Sequence, residues 1–174
     1  MMKWVLWVIG GIAAIIIMIS LIGLMLPRDH VATRTARYKA SPDSIWAALV
    51  DVKDYPKWHG DTRAVEDLPS VDGKRSWRES SRQGSITYVA EGERPPSLFV
   101  TRIANTDLPF GGTWTHELSP DGSGTRVTIT ERGWVSNPIF RFVSRFVIGQ
   151  TATMDSYLRA LGKRFGEEVT PAAS

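Results

Sequence analysis

The stretch Ala40–Trp58, ASPDSIWAALVDVKDYPKW, decides the fold. Ser41 suits a helix cap, and Pro42 suits the first helical turn, where its missing N–H is not needed. Asp43 then faces the positive end of the helix dipole. Pro56 interrupts any longer helix, so the stretch predicts one short helix followed by a second short helix or turn.

The residues just before this stretch predict a half-buried strand. From Val31 to Ala40, alanine and tyrosine alternate with polar side chains, which is the period of a strand with one buried face. Arg34 is the misfit, because it places a charge on the apolar face.

The run Trp4–Leu26 contains no charged residue and is flanked by Lys3 and Arg28. At about 1.5 Å per residue a helix of this length spans roughly 30 Å of bilayer hydrocarbon. No small-x-small cleavage site precedes Pro27, so the run predicts an uncleaved transmembrane helix and not a signal peptide.

The chain therefore divides into a transmembrane anchor (1–27), a folded domain (28–168) and a disordered tail (169–174). Cations are more numerous after the helix than before it, which favours a single-pass protein of the inner or plasma membrane with a cytoplasmic domain. An exported domain is the alternative. Gly10 and Ala14 form a small-xxx-small pair, so a homodimer through the transmembrane helix is a further alternative.

Beyond Gly60 the apolar residues recur with period two, which is typical of an antiparallel meander. Turn residues separate six predicted strands, near 63–68, 74–81, 85–93, 98–104, 111–118 and 125–134. Asn137 and Pro138 then open one long helix, whose apolar stripe includes Val147 and Met154 and which Gly149 can bend. The order predicts an α+β fold, in which a curved antiparallel sheet wraps around a long C-terminal helix.

Composition excludes several classes of site. The chain has no cysteine, so it has no thiolate metal site or disulfide, and its net charge of +3 is too small to indicate a nucleic-acid partner. The three histidines are scattered and no nucleotide-binding or hydrolase motif is present. We therefore expect no metal and no cofactor.

Two groups of motifs resemble a known superfamily. Residues 40–46 and 51–58 resemble the opening of the START-like, or SRPBCC, superfamily. Residues 112–115, 124–128 and 137–140 resemble its polyketide cyclase/dehydrase and lipid-transport branch. The resemblance implies a helix-grip fold, which carries lipid carriers, hormone-binding proteins, cyclases and chaperone activators alike.

In such a fold the inward strand faces and the last helix surround a ligand. Alternation and helix spacing assign eight candidate ligand-binding residues: Trp77, Tyr88, Trp114, His116, Glu131, Phe142, Phe146 and Met154. For each apolar member, a place in the hydrophobic core is the favoured interpretation.

The expected function is membrane-anchored binding or presentation of a hydrophobic small molecule, lipid or polyketide-like. Without a catalytic motif, binding is favoured over catalysis. Two alternatives stay open. One is a cyclase or hydrolase that uses His116 and Glu131 as an acid–base pair. The other is a protein-binding, chaperone-like module.

Overall fold

The computed structural model describes residues 2–174, in which the segments with periodic apolar residues form helices and strands. The helices are α1 (Met2–Met25), α2 (Pro42–Val50), α3 (Pro138–Val143) and α4 (Ala152–Arg164). A 3₁₀ turn (Val52–Lys57) follows α2, and a π-helical turn (Ser144–Ile148) follows α3. The strands are β1 (Asp29–Tyr38), β2 (Ala64–Val71), β3 (Lys74–Ser81), β4 (Gly84–Arg94), β5 (Leu98–Ile103), β6 (Phe110–Asp121) and β7 (Gly124–Val135).

The seven strands form one antiparallel sheet in the order β1-β7-β6-β5-β4-β3-β2. Strands β2 to β7 follow one another as a meander, whereas β1 returns to pair with β7. That pairing runs from Asp29 opposite Trp134 to Tyr38 opposite Thr125. The predicted α+β architecture is confirmed.

The core lies between one face of the sheet and the helices α2 and α4. Ile45 and Leu49 of α2 and Leu158 and Leu161 of α4 are fully buried in one cluster with Phe99 of β5. Burying side chains of this size stabilises the fold by about 1.5–3 kcal/mol each.

Capping of α2 follows the prediction. The Ser44 backbone N–H donates to Ser41 Oγ at 3.3 Å, and Pro42 occupies the first turn. The hydrogen bond satisfies one of the free donors at the start of the helix.

The C-terminal helix differs from the prediction, because the single long helix is broken into α3 and α4. Asn137 caps α3 as expected, its Oδ1 accepting from the backbone N–H of Ile139 at 2.9 Å. The chain then breaks at Gly149, whose φ of 86° lies in the left-handed region that favours glycine. Val147, predicted on the buried stripe, is therefore 70 % exposed.

Arg34, the charged residue on the otherwise apolar face of β1, points inward and pairs with Asp155 of α4. Its Nε and Nη2 donate to the two carboxylate oxygens of Asp155 at 2.5 and 3.1 Å. Nη2 also donates to the carbonyl oxygen of Pro171 at 3.2 Å. A bidentate partner is what allows a charge to lie on the apolar face of β1.

The tail, predicted to be disordered after Glu168, lies along β1. Thr35 and Ala172 exchange two backbone hydrogen bonds of 3.0 and 2.9 Å, and Pro171 is buried. The physical reason is that β1 is an edge strand with free backbone donors and acceptors, which the tail satisfies.

Helix α1 is long and apolar enough to cross a membrane between Lys3 and Met25. Its last turn packs on α3: a Cβ added to Gly23 would lie 2.0 Å from the carbonyl oxygen of Pro138. By contrast, a Cβ at Gly10 would meet no other described atom within 4 Å. The dimer through Gly10 and Ala14 stays a prediction.

Candidate functional site

An aromatic cluster lines the inner face of the sheet below α4. Trp77 of β3 stacks on Tyr88 of β4 at 5.7 Å between ring centroids, and Trp114 of β6 meets Tyr157 of α4 edge-on at 5.6 Å. His116 lies 5.5 Å from the same Tyr157 ring. Alternation along the strands directs Trp77, Tyr88, Trp114 and His116 to the inner face of the sheet, as the sequence predicts, and Tyr157 lies on the buried face of α4 that covers them.

His116 is the central polar group of this cluster. It is 3 % exposed, and its Nδ1 lies 3.1 Å from the carbonyl oxygen of Phe99. Burial lowers the pKa of His116 to about 4; the bond to Phe99 opposes this shift, and nearby His59 adds to it. The ring is therefore neutral near pH 7.

The partner at Nδ1 fixes the tautomer of His116. A carbonyl oxygen only accepts hydrogen bonds, so Nδ1 must carry the proton and Nε2 presents a lone pair. Nε2 is buried and has no hydrogen-bond partner among residues 2–174. This atom can accept a hydrogen bond from an O–H or N–H group.

Two more buried polar atoms lack partners within the described part of the chain: Trp58 Nε1 and the Tyr157 hydroxyl. Both belong to the group of rings around Tyr157, since Trp58 lies 5.5 Å from that ring. Burial raises the pKa of Tyr157 well above its ordinary value, so its hydroxyl keeps its proton and can donate. The protein interior thus contains two hydrogen-bond donors, Trp58 Nε1–H and the Tyr157 hydroxyl, as well as one acceptor, His116 Nε2.

A second polar cluster surrounds Glu79, which is 9 % exposed. One carboxylate oxygen accepts from Trp77 Nε1 at 2.9 Å, and the other accepts from the Thr62 hydroxyl at 3.0 Å. The second oxygen also lies 3.3 Å from His59 Nδ1. These bonds hold the loop after the 3₁₀ turn against strand β3.

A cavity of about 620 Å³ opens beside the Glu79 cluster. Its walls are the loop His59–Thr62, the β3–β4 hairpin and the first turns of α4. The hairpin contributes Ile86 and Tyr88, and α4 contributes Tyr157. This volume lies in the range of small-molecule sites.

The proposed acid–base pair is not assembled. Glu131 lies opposite Trp114 in the β6–β7 register, and its carboxylate is 3.6 Å from His30 Nε2. Burial raises the pKa of Glu131, and His30 opposes that shift. Within the described chain no ion pair joins Glu131 to His116, because His116 lies one pleat further along β6 and is bonded to Phe99.

The remaining candidates divide between the core and the surface. Met154 is fully buried in the core with the aromatic cluster. Phe142 and Phe146 lie 5.0 Å apart, and Phe146 is 60 % exposed. The break at Gly149 separates these two phenylalanines from the part of the helix that covers the sheet, so they do not close the cavity.

Tyr157 and His59 are site residues that the sequence reasoning did not select. Tyr157 follows Met154 by three positions and precedes Leu158, so the helical period was a usable signal for it. His59 lies in an irregular loop, where no period indicates which way a side chain points. Among residues 2–174, no three His, Asp or Glu side chains are grouped closely enough to hold a metal ion.

Solved structures resemble this chain at low sequence identity. Truncated norcoclaurine synthase from Thalictrum flavum superposes with a TM-score of 0.62 at 15 % identity, covering 79 % of this chain and 93 % of that one. The ZhuI aromatase/cyclase from a Streptomyces species gives 0.60 at 16 %, covering 76 % and 91 %. The di-domain aromatase/cyclase StfQ of the steffimycin biosynthetic pathway gives 0.61 at 13 %, and the match covers 80 % of this chain but only 52 % of StfQ.

At these identities the structures show the fold alone, which is a helix-grip fold with a curved antiparallel sheet packed on a C-terminal helix. No curated protein sequence matches the chain. A family model described as polyketide cyclase/dehydrase and lipid transport matches residues 29–166, which include every strand of the sheet and α4 up to Arg164. The chain therefore belongs to the polyketide cyclase/dehydrase and lipid transport family.

Proposed function

We propose that this protein is anchored in a membrane and binds a hydrophobic small molecule, lipid or polyketide-like, that carries a hydroxyl or N–H group. One observation carries the proposal: Nε2 of His116 is buried among aromatic rings without a partner in the described chain. An unpartnered buried polar atom costs about 1–3 kcal/mol, which a ligand hydrogen bond would offset.

The buried polar groups beside the cavity define the ligand class: Tyr157 lines the cavity, and the His116 ring, which does not line it, lies 5.5 Å from the Tyr157 ring. Neutral His116 can accept a hydrogen bond and the Tyr157 hydroxyl can donate one, so a ligand that carries a hydroxyl group suits this interior. Trp77, Tyr88 and Trp114 surround these groups with aromatic surface, which favours an apolar body. A hydroxylated aromatic or lipid-like molecule has both features.

Anchoring through α1 makes the membrane the source of that ligand. Only Leu26, Pro27 and Arg28 separate α1 from β1, so the domain stays within about 15 Å of the end of the helix. A ligand that partitions into lipid then reaches the protein at high local concentration. The cations that follow α1 favour the cytoplasmic side.

A cyclase is the second candidate, and the pair of His59 and Glu79 at the mouth of the cavity favours it. Glu79 accepting from Nδ1–H would leave His59 Nε2 as a base beside the ligand. This candidate predicts that the bound molecule is converted during incubation to a product with a different chromatographic retention time, and with the mass of one water lost where ring closure is followed by dehydration, whereas simple binding leaves the molecule unchanged.

Native mass spectrometry of the full chain, purified from host membranes in mild detergent, tests the proposal. We expect a bound small molecule with the wild-type chain. Ile86→Trp fills the cavity mouth and should lower its occupancy at least about tenfold, or ~1.4 kcal/mol of binding free energy. Ser85→Trp is the matched control, because Ser85 is the adjacent exposed residue and lies outside the cavity wall.

Equal ligand occupancy in Ile86→Trp and Ser85→Trp would show that the ligand binds elsewhere and would contradict the cavity as its binding site. A bare wild-type mass across independent preparations would reject ligand binding itself.

A further inference from the structure

Large exposed apolar side chains are concentrated at one place outside α1. In the described chain they are Val31, Val71, Ile139, Phe140, Phe146, Val147 and Ile148. All except Val71 lie at the start of β1 or in Pro138–Ile148, which we call the juxtamembrane segment. Monomeric soluble proteins rarely expose so continuous an apolar patch without a partner for it.

The juxtamembrane segment is fixed against the last turn of α1. Pro138 packs on Gly23 so closely that no side chain fits between them. Arg141 bridges the two elements: its Nη1 donates to the carbonyl oxygen of Leu26 at 3.2 Å, and its Nε donates to that of Val135 at 2.8 Å. The apolar patch therefore begins where the apolar surface of α1 ends.

We propose that the juxtamembrane segment inserts its apolar side chains into the lipid leaflet at the end of α1, as an interfacial membrane-binding element. The inference rests on the proposed anchoring by α1. The apolar surface of the juxtamembrane segment continues that of α1. Because lipid covers α1 under the proposed anchoring, lipid rather than a protein partner is expected to cover the segment as well.

Charge around the patch supports a lipid surface. Arg28 lies over the Trp134 ring at 5.0 Å, and Arg145 is exposed on the segment itself. Arginine and tryptophan at the edge of an apolar surface match the headgroup layer, and anionic lipids attract such cations.

The position of the segment relates the membrane to the cavity. Ile148 and the cavity-lining Ala152 are four residues apart, at most about 14 Å along an extended chain. Insertion of the segment therefore holds the α4 side of the cavity mouth near the lipid headgroups.

The chain has no cysteine, so single-cysteine variants of the full protein can be labelled with nitrobenzoxadiazole and reconstituted into phosphatidylcholine–phosphatidylglycerol vesicles that contain doxyl-labelled lipid. Val147→Cys reports on the segment and Ile16→Cys on α1. Val71→Cys is the matched control, as an exposed valine at the end of β2. We expect quenching and a blue-shifted emission at positions 147 and 16, and neither at position 71.

Quenching at position 16 with a water-like signal at position 147 would overturn this inference and leave the anchor intact. A water-like signal at both positions would overturn the anchor and this inference together. A blue shift without lipid quenching at position 147 would mean that protein covers the segment, which also overturns it. None of these signals depends on whether the cavity holds a ligand.

Discussion

His116 couples the stability of the fold to pH through a single buried ring. Its pKa is lowered to about 4 in the folded chain, against 6.5 for the ordinary side chain. Below pH 6.5 the unfolded chain therefore binds a proton that the folded chain does not bind until about pH 4. Stability from this residue is present above pH 6.5 and is lost as the pH falls from 6.5 toward 4.

We predict that the wild-type chain loses about 2 kcal/mol more unfolding free energy between pH 7.5 and pH 5 than His116→Asn does. Asparagine keeps a donor for the Phe99 carbonyl but does not titrate. Urea unfolding of the full chain in detergent, followed by circular dichroism at the two pH values, measures the difference. Equal losses in the two proteins would contradict a neutral buried His116.

The contact between α1 and α3 depends on a single glycine. Gly23→Leu should force the helices apart, because even a Cβ would lie 2.0 Å from the Pro138 carbonyl oxygen, and overpacking of this kind costs about 1–3 kcal/mol. Arg141 would then lose the carbonyl oxygens of Gly23 and Leu26. We predict faster trypsin cleavage after Arg141 in reconstituted Gly23→Leu.

Gly10→Leu is the control for that experiment, because it adds the same side chain to the same helix at a position with open space around it. Cleavage at the wild-type rate in both variants would show that α3 does not depend on the close contact.

The strands were predictable from the sequence, whereas the break in the last helix was not. Trp77, Tyr88 and His116 obey the period of two, and turn residues mark the strand ends, so their inward positions follow from local rules. The helical period continues through Gly149, which can bend a helix but is also tolerated within one, so the sequence marks this position without determining the left-handed break. The contact between Glu131 and His30 was also not predictable, because it depends on the register between β1 and β7, which the local sequence pattern does not determine.

At the scale of the molecule, Arg34 joins three distant parts of the chain. It lies on β1, pairs with Asp155 of α4 and donates to the Pro171 carbonyl of the tail. Arg34 and Asp155 are only 19 % and 15 % exposed, so removing one partner leaves a poorly solvated charge. The pair closes the sheet, the helix and the tail into one unit.

We predict that Arg34→Met lowers the unfolding free energy by about 2 kcal/mol, and that adding Asp155→Leu restores part of the loss. Arg78→Met is the control, since its partner Glu66 is largely exposed and surface pairs contribute little. Urea unfolding of the four proteins gives the values. A loss in Arg34→Met no larger than that in Arg78→Met would show that the inward pair adds nothing.

The pairing of the first strand with the last also has a consequence for biosynthesis. Asp29 cannot meet Trp134 until the intervening residues, roughly a hundred, have left the ribosome, which at about 5–20 residues per second takes some 5–20 seconds. With the proposed anchoring, α1 would insert during that time and leave β1 as an unpaired strand at the lipid surface. Under that proposal the nascent chain would pass through a stage in which its anchor is in place while the sheet is still open, and β1 would be exposed to wrong pairing during this stage.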